Sequence, residues 1–127
     1  MSRDFVRGQR IRFAVHELRF EVTLASMDDE VIGAFAIVDY QGERTIVRAL
    51  RHGERAFDGR AYRMISFVED LPLDLIGFLA LVADAMAKKE VPIFVLSSYR
   101  TDHILVLDRD LDRAIEALIS LGMVLRT

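Results

Sequence analysis

The stretch Val91-Pro92-Ile93-Phe94-Val95-Leu96-Ser97-Ser98-Tyr99-Arg100-Thr101-Asp102-His103-Ile104-Leu105-Val106 sets two apolar runs on either side of a polar tip. Val91 to Leu96 and Ile104 to Leu107 read as strands, rich in β-branched and aromatic residues and separated by turn formers. Upstream, Leu75, Phe78, Leu79, Val82 and Met86 recur at three- and four-residue spacing, the stripe of an amphipathic helix, and Lys88-Lys89 suits its negative C-terminal end. Downstream, Leu111, Ala114, Ile115, Leu118 and Leu121 form a second stripe ended by Gly122. With Ala61 to Val68 as a further β-like run, residues 61–124 predict the order β-α-β-β-α. A last strand over Met123 to Arg126 would complete the βαββαβ ferredoxin-like plait, an α+β fold with both helices on one face of an antiparallel sheet.

The first half has a different pattern. Leu18, Phe20, Val22 and Leu24 alternate with Arg19, Glu21 and Thr23, so a half-buried strand is expected with one face packed and the other in water. Asp28 and Asp29 break that pattern, and Ala34 to Tyr40 with Glu43 to Leu50 read as a hairpin around Gln41-Gly42. Arg51 to Arg60, with Gly53 and Gly59 and no periodicity, marks a surface loop and the internal boundary. The expected organisation is a strand-rich half over residues 1–60 and a second half over residues 61–127. A chain of 127 residues suits one folded unit made of two such interdependent halves.

Composition removes several classes of function. A hydrophobic content of 52% and a net charge of −3 are those of a globular chain, not a disordered one. The absence of cysteine excludes disulfides, thiolate nucleophiles and cysteine-bound metals. Asp74 and Asp84 interrupt the most apolar stretch, Leu71 to Ala87, which falls short of the roughly 20 residues that span a bilayer. Met1 to Arg12 contains no apolar signal-peptide run, so a cytoplasmic protein is expected. Arg44, Arg48, Arg51, Arg55, Arg60 and Arg63 alternate with Glu43, Glu54 and Asp58, which reads as a solvated face and not as a nucleic-acid surface. Neither a P-loop nor a dinucleotide fingerprint occurs, and no cofactor is expected.

The polar residues that remain point to binding. Asp74 precedes the first helical stripe, where a carboxylate can cap free backbone N–H groups. Gly77, read as lying in the first helical turn, costs about 1 kcal/mol against alanine there, so close approach of a strand, a partner or a ligand is expected. Ser97, Ser98, Tyr99, Thr101 and Asp102 crowd the tip, with Tyr99 as an aromatic wall and Asp102 as an acceptor for an amino group. Together, helix N–H groups and Asp102 would hold both ends of a zwitterion. Ser98 and His103 are the only pair resembling a nucleophile and a base, but their odd spacing along a strand sets them on opposite faces, and no G-x-S-x-G elbow is present. His16, His52 and His103 lack metal-ligand spacing. Asp108, Asp110 and Asp112 lack the glycine and glutamate of a calcium loop and are expected to cap the second helix.

These residues resemble a known family. Tyr62 to Met123 is similar to the ACT domain, in particular to the subfamily of small bacterial proteins related to eukaryotic cytosolic amino-acid sensors. The resemblance lies in the helix start Pro72 to Gly77 and in the strand pair Ile93 to Val106, and it extends upstream to Ala34–Val47 with Glu43-Arg44-Thr45-Ile46-Val47. It implies two ACT-like units side by side, the first degenerate, in a non-catalytic regulatory protein that binds an amino acid or similar small molecule, often as a homodimer. The implied contacts are Leu75, Ile76 and Gly77 at the helix start and Ser98, Tyr99 and Asp102 at the turn. With Asp74 and Thr101 these make up the expected ligand-binding set. Ser98 stands where many members have threonine, and Arg100 where many have a small or acidic residue, so the ligand does not carry over. The alternative is a protein-interaction or dimerisation module without a ligand.

Overall fold

Strand β1 spans Arg12–Ala25, twice the length of the alternating run that announced it. The computed structural model describes residues 10–69 and 76–127. Residues 1–16 with 63–127 pack as one compact unit and residues 17–62 as another, so β1 contributes residues to both.

The first unit takes the start of β1, then β4 (Tyr62–Phe67), α1 (Phe78–Lys88), β5 (Phe94–Ser97), β6 (Asp102–Leu107), a 3₁₀ turn (Asp108–Asp110), α2 (Leu111–Ser120) and β7 (Val124–Leu125). Its strands lie in the order β7-β1-β4-β6-β5. Strand β5 pairs antiparallel with β6, Phe94 opposite Leu105 and Ser97 opposite Asp102. The mixed α+β architecture with two helices agrees with the expected one. One expectation is corrected: the closing strand pairs in parallel with β1, Arg12 opposite Val124 and Phe13 opposite Leu125, which sets β1 between β4 and β7. Ile11 and Phe13 explain it, since both are buried in the core and draw the chain's beginning into the sheet.

The helices follow their stripes. In α1 the buried residues are Phe78, Val82, Ala85 and Met86, and in α2 they are Ala114, Ala117 and Leu118. These pack with Phe13, Ile65, Phe67, Ile104 and Val106 into one core. Both helices end alike: Val91 N–H donates to the Met86 carbonyl at 3.0 Å and Met123 N–H to the Leu118 carbonyl at 3.2 Å, each from a buried apolar residue that anchors the exit. After α1 the left-handed position is held by Glu90, with φ +57°. The expected capping of α2 is corrected. Asp110 occupies the N-cap position without a side-chain capping bond, and its buried carboxylate instead takes the Arg113 guanidinium.

The second unit holds the rest of β1 with β2 (Ala36–Tyr40) and β3 (Glu43–Ala49), in the order β2-β3-β1. The expected hairpin is present, closed by Gln41 and Gly42, both at positive φ, with Tyr40 opposite Glu43. The simple inside-outside reading of β1 is corrected: Phe20 is buried, but Leu18 and Leu24 are exposed and Glu21 is buried. Glu21 tolerates burial because Arg48 lies 2.5 Å from its carboxylate and the Phe57 N–H donates to it at 2.8 Å. Two arginines of this region are paired, Arg44 in a two-pronged contact with Asp39 at 2.7 and 2.9 Å and Arg48 also with Glu54.

Candidate functional site

The turn between β5 and β6 is built by its own side chains. Ser98 N–H and Ser98 Oγ both donate to the Thr101 carbonyl, at 2.9 and 3.1 Å, which closes the turn around Tyr99 and Arg100. Thr101 Oγ1 donates to the Phe67 carbonyl at 3.0 Å and ties the turn to β4. Ser97 Oγ donates to Asp102 Oδ1 at 2.7 Å. Asp102 belongs to β6 and not to the loop, which gives its carboxylate a fixed strand position. Tyr99 is exposed.

At the helix start, Gly77 is the N-cap of α1, not a residue of its first turn, and its backbone is left-handed with φ +87°. That removes the argument for close approach: glycine is needed here because a Cβ disfavours this conformation. The Gly77 carbonyl accepts the Leu81 N–H at 3.1 Å, and no side chain among the described residues caps the free N–H groups of the first turn. Ile76 is exposed at 85%. Asp74 and Leu75 of the expected set lie outside the described residues.

Turn and helix start share a neighbour. Phe67 accepts Thr101 through its backbone, and its ring meets the ring of Phe78, the first residue of α1, edge-on with centroids 4.9 Å apart. Asp102 shares its face of β6 with Ile104 and Val106, which pack against the helices. Ser98 and His103 project from the other face. The expected set is therefore divided, with Asp102 on the helix side and the Ser98 hydroxyl opposite.

On that other face the expected separation of Ser98 and His103 is also corrected, since Ser98 Oγ lies 2.8 Å from His103 Nε2. Ser98 directly follows β5, whereas His103 lies in β6. Leu96 sits opposite His103, so Ser98, two residues on, falls on the same face as its diagonal neighbour. His103 Nδ1 lies 2.6 Å from Ser66 Oγ, and Ser66 Oγ lies 2.9 Å from His16 Nε2. A chain His16–Ser66–His103–Ser98 thus crosses β1, β4 and β6. Burial lowers the pKa of His103, helped by His16 and opposed by Asp102. Burial likewise lowers that of His16, helped by Arg126. Sequence reading missed His16 and Ser66 because nothing local marks them; they meet only through strand pairing.

A separate cleft of about 330 Å³ lies among residues of the second unit, lined by Glu17, Arg19, Leu50, Arg51, His52 and Glu54. The Arg48 guanidinium and the Arg51 N–H hold Glu54 and lower its pKa to about 2.

The fold has relatives. A protein of Agobacterium tumefaciens with a known crystal structure superposes with a TM-score of 0.73 at 22% identity, over 92% of each chain. A Vibrio cholerae protein of unknown function, described as a possible transport protein, superposes with a TM-score of 0.70 at 16% identity, over 84% of this chain and 85% of that one. At these identities the likeness concerns the fold. No curated protein matches the sequence. Residues 59–120 match the ACT domain, a span that runs from β4 to the end of α2 and includes both the turn and the helix start. The match identifies residues 59–120 as an ACT domain.

Proposed function

We propose that this protein is a non-catalytic regulatory module that binds a small molecule, an amino acid being the ligand class its polar groups suit. ACT domains are regulatory ligand-binding units, and the family assignment supports the general reading. The observation that carries the finer one is the joint anchoring on Phe67: the turn bearing Asp102 bonds to its backbone, and the first residue of α1 packs on its ring. A carboxylate suits the free N–H groups of α1, and an ammonium suits Asp102. In this reading Asp74, Leu75, Ile76 and Gly77 contribute from the helix start, and Tyr99, Thr101 and Asp102 from the turn. Ser98 acts from the far face by holding the turn closed. The strand-rich half over residues 1–60 is read as the degenerate ACT-like unit, and the working form as a homodimer.

Thermal-shift screening of the common amino acids tests this, since a ligand at 100 times its Kd stabilises the fold by about 2.7 kcal/mol. A folded protein that no amino acid stabilises would refute the ligand class. A second reading, an interaction module without ligand, is favoured by edge strand β2, which exposes Ile37, Val38 and Tyr40 beside unpaired backbone groups. Light scattering that finds a monomer at every concentration would remove its self-association form and the homodimer together.

A further inference from the structure

The hydrogen bonds of the chain His16–Ser66–His103–Ser98 run in one direction. Ser98 Oγ gives its proton to the Thr101 carbonyl, which can only accept. Ser98 Oγ therefore accepts from His103, whose Nε2 carries a proton. In the neutral ring Nδ1 is then bare and accepts from Ser66 Oγ, which in turn accepts from a protonated His16 Nε2. While both rings are neutral, each of the three links has one donor and one acceptor.

A proton added at His103 Nδ1 reverses two links. The ring now donates to Ser66, Ser66 turns its O–H to His16 Nε2, and His16 moves its remaining ring proton to Nδ1. If the proton is instead added at His16 Nδ1, the links stay as they are. With both rings charged, Ser66 Oγ faces two N–H donors, and its own O–H has no acceptor in the chain. Ser66 has no third partner among the described residues, so that state leaves its hydroxyl without a protein acceptor and sets two cations on either side of one oxygen.

Other charges act on the pair. Asp102, next to His103 along β6, favours its charged form, and Arg126 opposes charge on His16. Arg63 donates to the His16 carbonyl at 3.2 Å and pairs with Asp108 at 3.7 Å, and Arg100 stands in the turn. Asp102 is the carboxylate among them nearest in sequence to either ring, and it is also the group assigned to a ligand's ammonium.

We propose that Ser66 makes His16 and His103 a single-proton switch, and that the proton it takes up competes with a ligand's ammonium for the field of Asp102. The second half rests on the proposed function; the first stands on the hydrogen-bond chain alone. By linkage, an ammonium at Asp102 makes the pair harder to protonate, and acid weakens ammonium binding by the same factor.

The test uses the full chain with ¹⁵N-labelled histidine, reading ring shifts against pH. The expected result is an Nε2–H tautomer for both rings at high pH, then one common midpoint, below which the fractional protonations of His16 and His103 level off at a sum of a single proton. Ser66→Ala is expected to split that midpoint into two independent ones, and Ser66→Thr, which keeps the hydroxyl, to preserve it. Ethylammonium chloride is expected to move the midpoint down in the wild type and to leave it in place in Asp102→Asn. Two full, independent titrations in the wild type, or an Nδ1–H tautomer at His103 at high pH, overturn the switch even if Ser66→Ala does not fold. A common midpoint that ethylammonium leaves unmoved overturns the competition. A common midpoint that ethylammonium moves, with no amino acid giving a thermal shift, keeps the switch and refutes the amino-acid reading.

Discussion

Replacing Gly77 separates two reasons for a glycine at a helix start. If the backbone is the reason, the φ of +87° sets the cost, because an L-residue in the left-handed region is strained by about 1–2 kcal/mol. Alanine recovers about 0.4–1 kcal/mol by restricting the unfolded chain. Gly77→Ala should therefore destabilise by about 0.5–1.5 kcal/mol net. Asparagine tolerates the left-handed region better than alanine, so Gly77→Asn should cost less than Gly77→Ala despite its larger side chain. If close approach of another group were the reason, the order would reverse and the larger residue would cost more. Urea unfolding of the three proteins measures this, the midpoints giving the order at constant m. A ranking with asparagine below alanine would refute the backbone explanation and restore a neighbour pressed against Gly77.

Other expectations follow from particular contacts. Glu90 holds a left-handed position at the end of α1, so Glu90→Gly should raise stability by about 1 kcal/mol, read in the same urea assay. Glu21→Ala removes the partner of a buried ion pair and the acceptor of the Phe57 N–H; because Arg48 keeps Glu54, the loss should be about 2–3 kcal/mol, below the full cost of stranding a buried charge. The two histidines have native pKa values below the ordinary 6.5, so the unfolded chain binds protons before the native one does. Their contribution to stability is complete above that value and is lost as the pH falls below it, until the native values are passed; pH-dependent thermal melts should show this decline, and it should shrink in His103→Gln. Glu54 has the same sign at lower pH, its contribution being full above 4.5 and lost as the pH falls towards about 2, and carboxyl NMR should find its pKa restored upward in Arg48→Met.

Much of the fold was legible in the sequence because its signals are local. The stripes of α1 and α2, the Gln41-Gly42 hairpin and the strands about the Ser97–Asp102 tip each rest on a short periodicity or a turn preference, and all of them form. The family resemblance, carried by consecutive residues of the same region, is likewise a property of the chain as written. What tertiary structure decided are matters of pairing between distant residues. Sequence could not say that β1 would lie between β4 and β7, since burial of Ile11 and Phe13 depends on a core assembled from residues far along the chain. Nor could it bring His16, Ser66 and His103 into one hydrogen-bonded row, because a single polar residue on a strand has no pattern until neighbouring strands fix its register. The same register put Ser98 beside His103 and turned Asp102 to the opposite face, so alternation across a strand pair, and not spacing along the chain, determined which groups can act together.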